Sequence, residues 1–273
     1  MPAYQGRALQ QRTPPRRRTG RIGRILRVLV VLAVVGGLAH VPWNALGDRL
    51  VTIGEVRVEG VHYLDAATVV KRSGLKLGDG WLDVDLAAAR QRLLRDSRIR
   101  EARVDRGLPR VVTVRIVERV PVLLTRHGSP WELDADGVLL APLAEGVVAD
   151  VPVLTGVDAE RYRAGTCLAT AGVRRGLAWV QATAEPELEL AGRISEIDVS
   201  DSATTGLVLM SGTHVLSTAW PPGARTLSAL RVVLADLEKR GTLAQEVDLR
   251  FRNQVIVRPV PGASGAAAGL PPG

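Results

Sequence analysis

The sequence has 273 residues and a net charge of +8, from 36 basic and 28 acidic residues. Its one cysteine, Cys167, excludes an intramolecular disulfide, so any exported domain must be stabilised by burial alone. We expect Cys167 to be a buried or half-buried apolar side chain. Only nine aromatic residues occur (five Trp, three Tyr and one Phe), which argues against a stacking surface for single-stranded nucleic acid.

One apolar segment dominates the N-terminal region. Residues 28–43 contain no Asp, Glu, Lys or Arg and consist mainly of Val, Leu and Ala. A helix over residues 28–46 would be about 28 Å long, which matches a hydrocarbon core of about 30 Å. The segment therefore predicts a transmembrane helix over residues 28–46.

The excess positive charge lies on one side of that segment. Residues 1–27 hold eight arginines and no acid, so residues 28–273 contain 28 residues of each sign and sum to zero. The positive-inside rule then predicts a single-pass type II protein of the cell membrane, with a basic cytoplasmic arm over residues 1–27 and an extracytoplasmic bulk. Three alternatives stay open: a signal peptide cleaved after Gly37-Leu38-Ala39, a buried core helix, and a nucleic-acid-binding arm.

A compact unit is predicted after a short linker. Alternating apolar residues over 53–59 predict a strand. Asp65 is placed to cap a helix over residues 66–72, and Gly74 is placed to end it. Asp85 is placed to cap a second helix.

Two more strands follow these helices, at residues 99–104 and 111–117. The resulting β-α-α-β-β order predicts a three-stranded sheet that carries two helices on one face. The fold class is therefore α+β.

Four short motifs give this unit a family resemblance. They are VRVEG at 56–60, GWLDVD at 80–85, ARV at 102–104 with Pro109, and VERVP at 117–121. In this order, after a basic arm and one apolar span, they resemble the POTRA domain of the FtsQ/DivIB family of bacterial cell-division proteins. The resemblance extends over roughly residues 20–260. It implies a POTRA-like domain over residues 51–119 and a β-rich second domain over residues 120–260.

The rest of the chain agrees with that second domain. A hairpin is predicted around Asp136-Gly137, with helices at 173–183 and 227–237. The remaining predicted strands lie at residues 193–199, 206–210, 214–218, 247–251 and 255–258. The Pro, Gly, Ala and Ser composition of residues 261–273 predicts a disordered tail.

Motifs of catalysis are missing from the sequence. It contains no G-x-S-x-G, P-loop, dinucleotide fingerprint or H-E-x-x-H, and its four histidines lack metal-ligand spacing. Asp134 and Asp136 lie beside a turn glycine, which permits a calcium site, although turn formation is the commoner role of such residues. We predict that the protein is not an enzyme and needs no cofactor or metal.

A protein without catalytic motifs is expected to act through its edges and surfaces. Residues 255–257 (Val255, Ile256 and Val257) are short and β-branched, and they predict an exposed sheet edge that another strand can complete. The resemblance implies that a small coiled-coil division protein similar to FtsB or DivIC adds a strand there, and that an FtsL-like coiled coil is a further partner. Arg250 and Phe251 match an Arg-Tyr pair that contributes to this contact in the family. The alternative is a buried Phe251 that closes the core beside a solvated Arg250.

These observations predict a non-enzymatic scaffold of the division machinery, located in the cell membrane at the division septum. It would recruit other single-pass division proteins through its POTRA and β-rich domains. Two alternatives are a POTRA-type chaperone or docking protein of a protein-translocation system, and an exported enzyme with an unrecognised site.

Overall fold

The computed structural model describes residues 21–39, 52–144, 146–218, 220, 222–251 and 254–260. The chain divides into two compact units between Val51 and Thr52. The predicted basic arm up to residue 20, the linker before Thr52 and the predicted tail at 261–273 lie outside the described residues.

The described part of the first unit, residues 21–39, is the helix α1 (Arg21–Ala39). It begins seven residues before the predicted start at Val28, because arginine, isoleucine and leucine are all good or fair helix formers and continue the helix into the basic segment. Side chains of residues 23–37 are exposed. Residues 40–46 of the predicted span lie outside the described residues. Among the residues that are described, no helix combines the length and the apolar character needed to cross a membrane.

The second unit starts with a three-stranded sheet. Its elements are β1 (Glu55–Glu59), α2 (Ala66–Ser73), α3 (Leu86–Leu93), β2 (Ile99–Gly107) and β3 (Val111–Glu118). The strand order is β1-β3-β2, with β1 parallel and β2 antiparallel to β3. The predicted β-α-α-β-β order is confirmed.

Local side-chain chemistry explains where the two helices start and stop. The Asp65 carboxylate accepts a hydrogen bond from the Thr68 amide at 2.7 Å, and Asp85 accepts one from the Ala88 amide at 2.8 Å. Each bond satisfies an amide that has no partner within its helix. Gly74 ends α2 in the left-handed conformation, with φ +73°.

A nine-stranded mixed sheet follows. Its order is β12-β11-β10-β9-β8-β7-β4-β5-β6. The strands are β4 (Pro121–His127), β5 (Ser129–Asp134), β6 (Leu139–Leu140), β7 (Val153–Thr155), β8 (Ile194–Asp198), β9 (Thr205–Leu209), β10 (His214–Ser217), β11 (Ala244–Asp248) and β12 (Ile256–Pro259). The helices are α4 (Ala171–Thr183) and α5 (Ala224–Lys239), with a short 3-10 turn at Pro186–Leu188.

Each sheet has its own apolar core. The smaller sheet buries Val112 and Val114 of β3 with Val69 of α2. In the larger sheet, Trp179 of α4 and Leu230 of α5 are fully buried within one cluster with the strands. These two helices therefore cover the sheet that carries β12.

Buried charges join the two sheets. Arg98, just before β2, lies 2.6 Å from Glu132 of β5, and its guanidinium also donates to the carbonyl of Ala141. Nearby, Arg119 pairs with Asp134. Asp134 also accepts hydrogen bonds from the amides of residues 136 and 138, which is the turn-forming role expected for it.

The environment of Cys167 differs from the expected one. Its side chain is exposed, and its thiol donates to the carbonyl of Asp136 at 3.3 Å. The expectation of burial was wrong because Cys167 lies on a loop that is held to residues 137–139 by backbone hydrogen bonds, while its side chain stays exposed.

Candidate partner-binding edge

The strand β12 lies at one edge of the nine-stranded sheet. It pairs antiparallel with β11, with Val257 opposite Val247 and Ile256 opposite Asp248. Among the described residues, no strand lies on its other side. The edge strand β12 (Ile256–Pro259) thus contains Ile256 and Val257 of the predicted segment, whereas Val255 lies just before it.

Backbone direction alternates along β12 and determines which amides the edge offers. The Val260 amide donates a hydrogen bond to the carbonyl of Leu243, just before β11, so the N–H of residue 260 points inward, away from the open edge. Alternation then turns Arg258 and Ile256 inward, toward β11, and leaves Val257 and Val255 directed to the open edge. Pro259 also faces outward but has no N–H, so the free edge offers two amide donors.

Side chains of β12 divide between core and surface. Val255 and Val257 are partly buried and pack against the core of the larger sheet. Ile256 is exposed on the other face, and Arg258 pairs with Glu246 of β11 at 3.1 Å. Packing of the two valines holds the edge strand in place while its outward amides stay accessible.

Arg250 is held by a carboxylate of its own chain. Its Nε donates to Asp248 Oδ1 at 2.9 Å and its second guanidinium nitrogen to Oδ2 at 2.7 Å. The hydrogen bonds from Arg250 lower the pKa of the Asp248 carboxyl and raise the pKa of the Arg250 guanidinium. This ion pair therefore holds the Arg250 guanidinium against the last residue of β11.

Phe251 is 49% exposed, so it does not close the core. It lines an open cleft of about 590 Å³ together with Arg250 and Val255. The opposite wall comes from the start of α5, at Arg225, Thr226 and Ala229, and the remaining lining residues are Thr218, Leu249 and Gln254. The structure thus brings Arg250, Phe251 and Val255 to one cleft, directly beside the edge formed by Ile256 and Val257.

Three features of this site were absent from the sequence prediction. They are the Asp248 partner of Arg250, the α5 wall of the cleft, and Pro259 as the end of the edge. The Asp-x-Arg spacing at 248–250 was a signal for the first, because residues two apart would share a face in the strand predicted over residues 247–251. The α5 wall depends on tertiary packing, and no local pattern marks it.

Metal chemistry has no support in the described part of the chain. There, no group of three or more His, Cys, Asp or Glu side chains is placed to hold a metal ion. The site combines the backbone amides of the edge with the Phe251 ring, Arg250 paired with Asp248, and Arg225 of α5.

Comparison with known proteins agrees with the POTRA motifs. Residues 51–119 match the family model described as "POTRA domain, FtsQ-type". The chain is 24% identical to the cell division protein FtsQ of Geotalea daltonii over 78% of each chain. It is 27% identical to FtsQ of Anaeromyxobacter sp., over 87% of this chain and 81% of that one. It is also 33% identical to FtsQ of Streptomyces coelicolor, over 52% and 51%.

The family model covers the β-α-α-β-β unit, and the relatives extend the likeness through the larger sheet. The chain therefore carries an FtsQ-type POTRA domain and is similar over most of its length to proteins named cell division protein FtsQ.

Proposed function

We propose that this protein is a non-enzymatic scaffold of the division machinery, anchored in the cell membrane by one N-terminal helix with its bulk outside the cytoplasm. The open edge of β12 carries the proposal. Its role is to add a strand from another single-pass division protein to the nine-stranded sheet.

The membrane anchor is supported by sequence and by α1. The segment 28–43 has no Asp, Glu, Lys or Arg, and the eight arginines before it are the pattern that keeps an N-terminus cytoplasmic. Apolar side chains of α1, such as Leu29 and Val31, are more than half exposed. An exposed apolar helix is stabilised by a lipid environment.

The geometry of the edge restricts how a partner strand pairs. Alternation along β12 turns the N–H and C=O of Val257 outward, the same alternation extended by one residue turns those of Val255 outward, and Pro259 ends the run of donors. A partner strand can therefore form its hydrogen bonds over only a few residues. The neighbouring cleft at Phe251 supplies the additional apolar contact that such a short pairing needs.

By resemblance to the family, the partner is a small coiled-coil division protein similar to FtsB or DivIC, together with an FtsL-like protein. Both partners would be confined to the same membrane. Confinement raises their effective concentration, so a short strand pairing is sufficient for assembly.

A proline at position 257 tests strand addition. Val257→Pro removes an outward N–H and leaves the inward hydrogen bonds to β11 in place, because the amide at 257 faces the open edge. We expect the affinity for the FtsB-like partner to fall at least about tenfold, which corresponds to about 1.4 kcal/mol. The measurement is a titration of the partner's extracytoplasmic segment against the full chain in detergent.

Val257→Ala is the matched control, since it trims the same side chain but keeps the N–H. Its affinity should stay within about threefold of the original protein. Thermal unfolding of both variants shows whether the sheet is intact. Equal affinities for the alanine and proline variants, both folded, would remove strand addition from the account.

A further inference from the structure

Three leucines are exposed on two loops of the smaller sheet. Leu77 and Leu82 lie between α2 and α3, and Leu108 lies in the turn between β2 and β3. They are 69%, 60% and 85% exposed, respectively. Large apolar side chains gathered at one exposed site mark a contact with a protein or a membrane.

Hydrogen bonds hold the two loops together. Arg106, at the end of β2, donates to the backbone carbonyls of Trp81, Leu82 and Val84 at 2.8–2.9 Å. The Trp81 indole N–H donates to the carbonyl of Val111 at 3.0 Å. The loop with Leu82 is thereby fixed against the turn that carries Leu108.

The chain enters the second unit at this same end. The Gly78 amide donates to the Ile53 carbonyl at 2.9 Å, next to Leu77. Arg110, two residues after Leu108, donates from Nε to the carbonyl of Thr52 at 2.9 Å. The two loops that carry Leu77, Leu82 and Leu108, here called the leucine tip, therefore both contact the first described residues of the unit.

We propose that the leucine tip inserts into the membrane surface. This inference rests on the proposed anchor at residues 28–46. Only residues 47–51 separate that span from Thr52, and an extended chain of this length reaches about 20 Å. The end of the unit that carries the three leucines is thus tethered close to lipid, and burial of apolar side chains in the acyl boundary stabilises such contacts.

Charge at the tip favours an apolar mode of binding. Residues 76–85 contain Lys76 and three aspartates. Arg106, at the end of β2, and Arg110, in the β2–β3 turn, add two positive charges, so three positive and three negative charges balance. Polybasic surfaces attract anionic headgroups, whereas a balanced surface does not. We expect the tip to contact zwitterionic and anionic lipid equally.

Depth-dependent fluorescence quenching in vesicles tests the tip. Because Cys167 is exposed, Cys167→Ser provides the background. Single variants Leu82→Cys and Leu108→Cys carry an environment-sensitive dye, and the full chain is reconstituted into phosphatidylcholine vesicles that contain brominated acyl chains. Met210→Cys is the matched control, since Met210 is an equally exposed apolar side chain of the larger sheet.

We expect bromolipid to quench dyes at 82 and 108 by at least about twofold and to leave the dye at 210 unchanged. Dyes at 82 and 108 that behave like the dye at 210 would overturn the proposal. So would dyes at 82 and 108 that are shielded only after a protein partner is added. Flotation of the unlabelled chain with the vesicles is measured first: failure to float contradicts the anchor, whereas flotation without quenching contradicts the tip alone.

Discussion

Replacing Glu132 by alanine is expected to lower the free energy of unfolding by about 3–5 kcal/mol. The side chains of Arg98 and Glu132 are only 5% and 3% exposed, and the charged atoms lie 2.6 Å apart. Without Glu132, the guanidinium of Arg98 stays buried with only the carbonyl of Ala141 as its partner. An uncompensated buried charge has a larger effect than the loss of one contact.

An exposed ion pair of the same type gives the control. Arg193 and Glu238 lie 2.7 Å apart, but their side chains are 37% and 62% exposed. Glu238→Ala should therefore change the free energy of unfolding by less than about 1 kcal/mol. Urea titrations of both variants measure the difference. A Glu132→Ala protein as stable as Glu238→Ala would show that the pair does not join the two sheets energetically.

Gly156→Ala is the second change with a large expected effect. Gly156 has φ +82°, and a Cβ there would lie 2.2 Å from the amide nitrogen of Ser200, which is a backbone atom without freedom to rotate away. The left-handed conformation costs a non-glycine residue about 1–2 kcal/mol. Displacement of packed backbone adds about 1–3 kcal/mol. We therefore expect a loss of about 2–5 kcal/mol in the free energy of unfolding.

Gly212→Ala separates these two effects. Gly212 has nearly the same φ, +83°, but a Cβ added there would meet no heavy atom of a neighbouring segment within 4 Å. Gly212→Ala should therefore lower the free energy of unfolding only by the cost of the left-handed conformation, about 1–2 kcal/mol. The difference in the free energy of unfolding between Gly156→Ala and Gly212→Ala, measured by thermal or urea unfolding, is the steric contribution at Gly156. Equal losses of stability in the two variants would contradict a close approach of the two backbone segments there.

The features that could be predicted from sequence are those with local causes. Asp65, Asp85 and Gly74 act on amides and carbonyls within one helical turn, so their positions alone indicate where helices begin and end. Alternation of apolar residues likewise located the three strands of the smaller sheet. The strand predicted at residues 247–251 was misplaced, since β11 runs from Ala244 to Asp248.

The features that could not be predicted depend on residues distant in sequence. Arg98 and Glu132 are 34 positions apart, and no local pattern shows that the two will be buried together. The leucine tip combines side chains from two loops that Arg106 joins only in the folded unit. Within the site, Phe251 was predicted in a strand over residues 247–251, whereas β11 ends at Asp248 and Phe251 lies beyond it, in the cleft beside the start of α5.

Hydrogen exchange at the β12 amides tests strand addition most directly. In the free protein, the amides of Ile256 and Arg258 should be protected by β11, and those of Val255 and Val257 should exchange rapidly. Saturation with the coiled-coil partner should slow exchange at Val255 and Val257 by at least about tenfold and leave the other two unchanged. Unchanged exchange at Val255 and Val257 in the saturated complex would contradict the account.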